Sequence, residues 1–435
     1  MRSVDEHLDA VLAQIEPVAA VTLPVRRALG LVTTADVRSL ADLPRFDNSS
    51  MDGYAVRRAD LDGASPESPV VLPVAGDIAA GDQRRHTLAP GQVWRIMTGA
   101  PLPEGADAVV KVEDTDAHPH EPQLRVQPDE GANIRRAGED VHAGDLVLSA
   151  GSRVGAGQIA ALLSAGVHEV EVVGPVRVAI LSTGDELVRP GEPVGPGQIV
   201  DSNGPMLEAL VREAGAYVVH VGHLPDDEGA TRRQVHRQLE HADLVITTGG
   251  VSKGEFDIVK KVLTGEGSME FVEVAMQPGK PQGFGVLGRR DVPVFTLPGN
   301  PVSTLVSFEV FVRPALQRRA GRREGGRLAT GLATQGWRSS PERQTYTRVR
   351  VDRDPTGAYA VSPAGGAGSH LVAPLATADA LAVSDPEATE VAAGSEVDLI
   401  LLRPRAEIDA RLSDDAERAV AERDRAGGAP HGDGR

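Results

Sequence analysis

Three times between residues 176 and 303 a short β-branched apolar run gives way to a glycine-bearing polar turn, and this repetition constrains the fold more than any other feature. The runs are Val176 to Leu181 before Ser182-Thr183-Gly184-Asp185-Glu186, Asp243 to Ile246 before Thr247-Thr248-Gly249-Gly250-Val251-Ser252, and Val292 to Leu297 before Pro298-Gly299-Asn300-Pro301-Val302-Ser303. Helical patterns at Pro205 to Ala214, Glu228 to Leu239 and Leu305 to Leu316 lie between or after them. Such alternation predicts βαβ units and a mostly parallel sheet, whose ligands bind beyond the carboxyl ends of the strands. All three glycine seams fall there. One pocket is therefore expected, lined by backbone amides and hydroxyls at Thr183, Gly184, Gly249, Gly250, Ser252 and Gly299.

The third seam reads as an anion site. Gly299 lets a ligand approach the backbone, Asn300 can cap the following helix, and Pro301 at its first position has no amide hydrogen to leave unpaired. The positive end of the helix dipole then faces phosphate or carboxylate. None of the seams is a dinucleotide fingerprint or a Walker loop, so neither an NAD enzyme nor a P-loop NTPase is indicated.

The same pocket is expected to be acidic. Asp185, Glu186 and Asp257 lie on the seams, and Asp226-Asp227 follow the apolar run Tyr217 to Leu224. Like charges about 4 Å apart cost roughly 4 kcal/mol at an effective dielectric near 20. Carboxylates beside a bound phosphate therefore call for a cation, and oxygen ligands favour magnesium. Taken singly, each carboxylate is an ordinary turn or cap residue; their shared location is what argues for metal.

At 435 residues the chain exceeds one ordinary core, and several domains are expected. It has no cysteine, which excludes disulfides and thiol chemistry. No stretch approaches a membrane span and the start lacks signal-peptide character, so a soluble cytoplasmic protein with no membrane partner is expected. The net charge of -17, from 45 basic and 62 acidic residues, disfavours nucleic acid as a partner.

The fold class read from these patterns is multidomain α/β plus β. Residues 46–140, rich in Pro, Gly and short β-type runs, form an inserted β-rich domain. Residues 1–45 and 141–175 flank it as a discontinuous N-terminal domain, opened by a capping box at Ser3 and Glu6. The α/β domain spans 176–321, Arg318 to Gly331 reads as a linker, and 330–405 form a small C-terminal β domain. Residues 406–435, acidic and arginine-bearing, are expected to be a disordered tail.

Several segments together are recognisable. Ser49 to Val56, Arg95 to Pro103, Ala106 to Lys111 with Glu113, Arg136 to Asp140, Ser182 to Leu187, Thr248 to Asp257, Pro278 to Pro281 and Leu297 to Ser303 resemble, in order, the motifs of the molybdopterin molybdenumtransferase family, MoeA and the gephyrin E domain. The resemblance covers roughly residues 1 to 405. It implies a molybdenum insertase that takes adenylated molybdopterin and molybdate, uses Mg2+, and yields molybdenum cofactor and AMP. It also implies four domains and an elongated homodimer with the site in a cleft between the α/β domain of one chain and the inserted domain of the other. Transient contact with other molybdenum cofactor enzymes is a further expectation.

Carried over by resemblance, Asp52, Thr98 and Asp140 match polar positions in and just beyond the inserted domain, and Glu186, Asp226 and Asp257 match acidic positions of the α/β domain. The last three are the implied metal ligands. Pro298 and Pro301 frame the turn linked to molybdate, Lys280 keeps a basic position, and Arg348 and Ser369 match positions in the last domain. The chain departs from many relatives at Glu273 and Gln277, where they have lysine. That departure bears on oxyanion binding and keeps open the alternative of a molybdopterin-binding scaffold with little turnover.

Overall fold

The structure is a computed structural model and describes residues 1–250, 258–322 and 327–427. It divides into two compact units, one formed by Met1–Ala19 with Val173–Arg435 and the other by Ala20–Val172. In the first, a six-stranded sheet runs in the spatial order Tyr217–Leu224, Arg177–Thr183, Leu244–Thr248, Val292–Leu297, Pro281–Leu287, Glu270–Glu273. The first four strands are mutually parallel, Pro281–Leu287 runs antiparallel to them, and Glu270–Glu273 runs antiparallel to Pro281–Leu287. Register sets Ser182 beside Thr248 and Thr248 beside Leu297, so the three runs end level and their glycine turns open at one edge.

Successive side chains of these strands point to opposite faces, and both faces are covered. Val178, Ile180, Ile246 and Phe295 pack beneath helices Asn203–Glu213 and Pro301–Ser307, while Ala179, Leu181, Val245 and Val294 pack beneath Glu228–His241 and Ile258–Leu263. The Pro301 helix continues through a π-type turn at Phe308–Val312 into Arg313–Arg319. Pro314 explains the wider turn, because it has no amide hydrogen for the carbonyl one turn back. Within that turn the buried Glu309 carboxylate takes both donors of the Arg313 fork at 2.6 and 2.7 Å.

The capping box forms as read, with Ser3 and Glu6 exchanging hydrogen bonds ahead of helix Val4–Leu12. The helix itself does not group with the discontinuous N-terminal domain. Val4, Val11 and Ile15 are buried in the α/β core, so Met1–Ala19 belongs with the α/β domain. Residues 20–45 retain the partnership expected of them, since Val25, Ala28 and Leu31 share a core with Val154, Leu162 and Val170.

The C-terminal strands close on themselves. Leu328–Ala333 pairs with Tyr359–Pro363 and Glu396–Leu401, and Gln344–Arg353 with Tyr359–Pro363 and Ala380–Ser384, while Ala380–Ser384 also pairs with Glu396–Leu401. The expected linker is correspondingly shorter, because helix continues to Arg319 and strand begins at Leu328. The expected disordered tail is corrected over most of its length by helix Arg405–Gly427. Ile408 and Leu412, 1% and 7% exposed, enter the barrel core, and Arg411 donates to the buried Asp379 carboxylate at 2.9 Å.

The second unit holds a four-stranded sheet ordered Val74–Ile78, Val93–Ile96, Gly53–Val56, Ala108–Lys111, with apolar clusters on its two sides. Among the described residues, no helix is long and apolar enough to cross a membrane.

Candidate functional site

The strand ends of the α/β domain surround a cavity of about 880 Å³. Its walls include Thr183, Gly184, Thr248, Gly249, Gly250, Pro298, Gly299, Asn300 and Pro301, so all three seams meet in one place. They are also bonded to each other. The Thr183 hydroxyl donates to the Thr248 carbonyl at 3.1 Å, and the Gly249 amide donates to the Leu297 carbonyl at 3.0 Å. Gly249 has φ +88°, and a Cβ there would stand 2.4 Å from Thr183 Oγ1. The close approach of two strand ends thus requires glycine. Because its amide is used in that junction, Gly249 shapes the cavity, correcting the expectation that this amide faces a ligand.

Asn203, at the start of its helix, ties the junction from the side: its Nδ2 donates to Thr248 Oγ1 at 3.0 Å and to the Gly299 carbonyl at 2.7 Å. Asp201 lines the same wall and holds the Gly204 amide at 3.0 Å. Sequence reasoning missed this pair by starting the helix at Pro205. The signal was the polar triplet Asp201-Ser202-Asn203 between the apolar pair Ile199-Val200 and the helical pattern, a helix-start signature.

The acidic wall assembles as expected for its described members. Asp185, Glu186 and Asp226 line the cavity together. The Asp226 carboxyl is pushed above the ordinary aspartate range by partial burial, then by a hydrogen bond shared with Asp185 and by the charges of Asp185 and Glu186. Carboxylates compete there for protons because they crowd one another. Glu186 folds its carboxylate over Gly184, where a Cβ would lie 2.5 Å from Oε2. Asp227 is elsewhere: its side chain caps helix Glu228–His241 by accepting from the Ala230 amide at 2.6 Å. Asp257 and Ser252 lie outside the described residues. Among the described residues, no group of three or more His, Asp or Glu side chains is arranged as a metal site.

Asn300 occupies the N-cap position without a side-chain cap, correcting that expectation. Its Nδ2 instead donates to Ser369 Oγ at 3.1 Å, and the Val302 amide donates to the Ser369 carbonyl at 3.3 Å. Ser369 thereby ties a loop of the C-terminal domain to the start of the Pro301 helix. That loop brings His370 and Val372 into the cavity wall, two residues not anticipated from sequence. Arg348, 4% exposed, directs its guanidinium to the carbonyls of Gly366, Gly368 and Leu371.

The departures, Glu273 at the end of the α/β edge strand and Gln277 in a short strand paired with Gln344–Arg353, have partners. Lys280 pairs with Glu273 at 2.9 Å, and Gln277 Oε1 accepts from Arg343 at 3.0 Å. In the other unit, Asp52 accepts from the Thr98 amide and hydroxyl at 2.7 and 2.8 Å, and the amide bond is the main reason its carboxyl is held below the usual range. Asp140 is exposed there, with its backbone amide on the Leu43 carbonyl.

With this geometry in view, the comparisons are consistent along the chain. Residues 2–166 match the MoeA N-terminal region (domain I and II), residues 179–318 a probable molybdopterin binding domain, and residues 330–402 the MoeA C-terminal region (domain IV). The chain is 43% identical over 404 residues to molybdopterin molybdenumtransferase 2 of Mycobacterium tuberculosis, covering 91% of this chain and 98% of that one. It is 35% identical over 401 residues to the molybdopterin molybdenumtransferase of Haemophilus influenzae, with 91% and 98% covered. A crystal structure of the molybdopterin biosynthesis MoeA protein from Pyrococcus horikosii superposes with a TM-score of 0.76 at 31% identity, covering 92% of this chain and 99% of that one. The chain therefore belongs to the molybdopterin molybdenumtransferase, or MoeA, family.

Proposed function

We propose that this protein is a transferase of molybdenum cofactor biosynthesis, a molybdenum insertase that takes adenylated molybdopterin and molybdate and releases AMP. The observation that carries this reading is the convergence of three glycine seams with a crowded carboxylate wall in one cavity. Gly249 lets two strand ends close tightly at the cavity wall, and Asn203 fixes the Thr248 hydroxyl and the Gly299 carbonyl that border it. Asn300 and Ser369 hold the Pro298–Pro301 turn in place, so an oxyanion meets a preset wall rather than a loop that must reorganise.

The carboxylates fit a hard cation, since crowded oxygen donors whose negative charges oppose one another are the kind Mg2+ relieves. Glu186 and Asp226 would hold it, with Asp257 as the third ligand carried over from the family resemblance. When bound, it supplies charge neutralisation at the pyrophosphoryl group. The protein acts in the cytoplasm as a homodimer, with Asp52, Thr98 and Asp140 completing the site, and meets molybdenum enzymes by transient contact.

A scaffold with little turnover is the second reading. It is favoured by the pairing of Lys280 with the Glu273 carboxylate, which leaves less positive charge for an oxyanion. Omission assays separate the two. Insertion predicts AMP release that needs adenylated molybdopterin, molybdate and Mg2+ together, whereas binding of the pterin nucleotide with no AMP release in the complete mixture would support the scaffold.

A further inference from the structure

The C-terminal barrel is completed by residues that the family match does not reach. The match to the MoeA C-terminal region stops at residue 402, whereas the chain continues through Arg403 into helix Arg405–Gly427. That helix is fastened to the barrel. Its Ile408 and Leu412 are buried in the barrel core, and its Asp409 carboxylate accepts from Arg353 Nη2 at 2.6 Å and from the Tyr359 hydroxyl at 2.9 Å.

One further contact of the helix leads towards the cavity. Arg411 Nη2 donates to the Asp379 carboxylate at 2.9 Å and to the Val351 carbonyl at 2.7 Å. Asp379 is buried, and the same carboxylate oxygen accepts from the Val351 amide at 3.0 Å. Among the described residues, the only other cation within 4 Å is Arg403, at 3.9 Å and too far for a hydrogen bond. A buried carboxylate costs stability unless it is paired, so Arg411 supplies what residues up to 402 do not.

From Asp379 the chain runs back to the cavity wall through one bonded turn. The Ala378 amide donates to the Pro374 carbonyl at 3.1 Å, and the Leu375 amide to the Val372 carbonyl at 2.9 Å, around the short helix Ala373–Ala376. Arg403 Nη2 donates to the Ala376 carbonyl at 3.1 Å, and the Leu402 amide to the Asp379 carbonyl at 2.8 Å. Val372 lines the cavity. A contiguous bonded segment of this kind passes a displacement of Asp379 on to Val372.

We infer that Arg411 is a positioning residue: acting through Asp379 and the Ala373–Ala376 turn, the helix beyond the family match sets the Val372 side of the cavity. The inference rests on the cavity being the substrate site. It gives the segment after residue 402 a part in substrate binding as well as in barrel stability.

Two readouts on the full chain test it: steady-state AMP release from adenylated molybdopterin with molybdate and Mg2+, and amide hydrogen exchange of residues 372–378 without substrate. The variants are Arg411→Met, Arg411→Lys, the pair Asp379→Asn with Arg411→Met, which leaves no unpaired buried carboxylate, and Ile408→Ala, which loosens the same helix without touching Asp379. Arg411→Met, alone or in the pair, should raise KM about fivefold with kcat within about twofold, and should quicken exchange over 372–378. Arg411→Lys, which keeps a cation for Asp379, should recover part of both. Ile408→Ala should lower the melting temperature yet leave KM within about twofold. An unchanged KM in the pair overturns the inference whether or not exchange quickens. So does a KM rise in Ile408→Ala as large as in Arg411→Met, which would mark helix docking in general, and so does a KM rise with no faster exchange, which would break the route through the turn. A wild type that releases no AMP contradicts the proposed reaction instead, and the exchange of the pair against that of Ile408→Ala then decides whether Arg411 holds the wall.

Discussion

At the residue scale, the cavity is governed by a carboxylate whose neighbours oppose its ionisation. Asp226 has its folded-state pKa raised by burial, by Asp185 and by Glu186. Protonation is thus favoured on folding, so its contribution to stability is present below the unfolded aspartate value and is lost as pH rises through the raised one. In EDTA at pH 7, Asp226→Asn should melt higher than wild type, by about 2 °C, and the difference should vanish at low pH. Magnesium should raise the melting point of wild type and not of the variant. A variant that melts lower than wild type at pH 7 in EDTA would mean that the carboxylates do not repel. Much of this wall was legible in the sequence, because turn-borne acids after strand runs have few other places to go. The roles of Gly249 and Arg348 were not legible. Whether an amide or a guanidinium faces a ligand or a carbonyl depends on which other strand end or loop comes alongside it, and that is a tertiary fact.

At the element scale, two helices carry consequences that pattern alone did not give. Helix Val4–Leu12 buries His7 edge-on against Phe311 at 4.8 Å, and burial lowers the imidazole pKa to about 4. A depressed histidine leaves stability intact above the unfolded value of 6.5 and erodes it as pH falls towards 4. The loss should reach roughly 3 kcal/mol across that window. His7→Leu should flatten the decline in chemical-denaturation midpoints between those limits, and an unchanged slope would show that His7 is not buried in the neutral form. Helix Arg405–Gly427 was read as a tail because its composition is charged and it ends in small residues. What composition hides is spacing: Ile408 and Leu412, four apart, lie on one helical face and reach the barrel core. Ile408→Ala should destabilise the C-terminal domain by about 2–4 kcal/mol. A disordered tail would give no effect in the same unfolding measurement.

At the scale of the whole molecule, the sequence carried the architecture further than the assignment of its first residues. The glycine seams at the strand ends follow from local periodicity, whereas Met1–Ala19 groups with the α/β core through the buried Val4, Val11 and Ile15, a tertiary contact. Distribution of the carried-over residues across two units underlies the homodimer proposal. An inactive Asp52→Ala chain mixed with an inactive Asp226→Ala chain should recover activity in verified heterodimers, since one site escapes both changes; no recovery would place each site within a single chain. The central claim is that the cavity exchanges a nucleotide for molybdenum on one bound pterin. Its most direct test is a single-turnover reaction of the purified protein with adenylated molybdopterin, molybdate and Mg2+, measuring AMP and pterin-bound molybdenum in the same samples. The account predicts that the two appear together, mole for mole, and that neither forms without molybdate. AMP released at an undiminished rate without molybdate, or molybdenum bound to pterin while the adenylate stays intact, would contradict it.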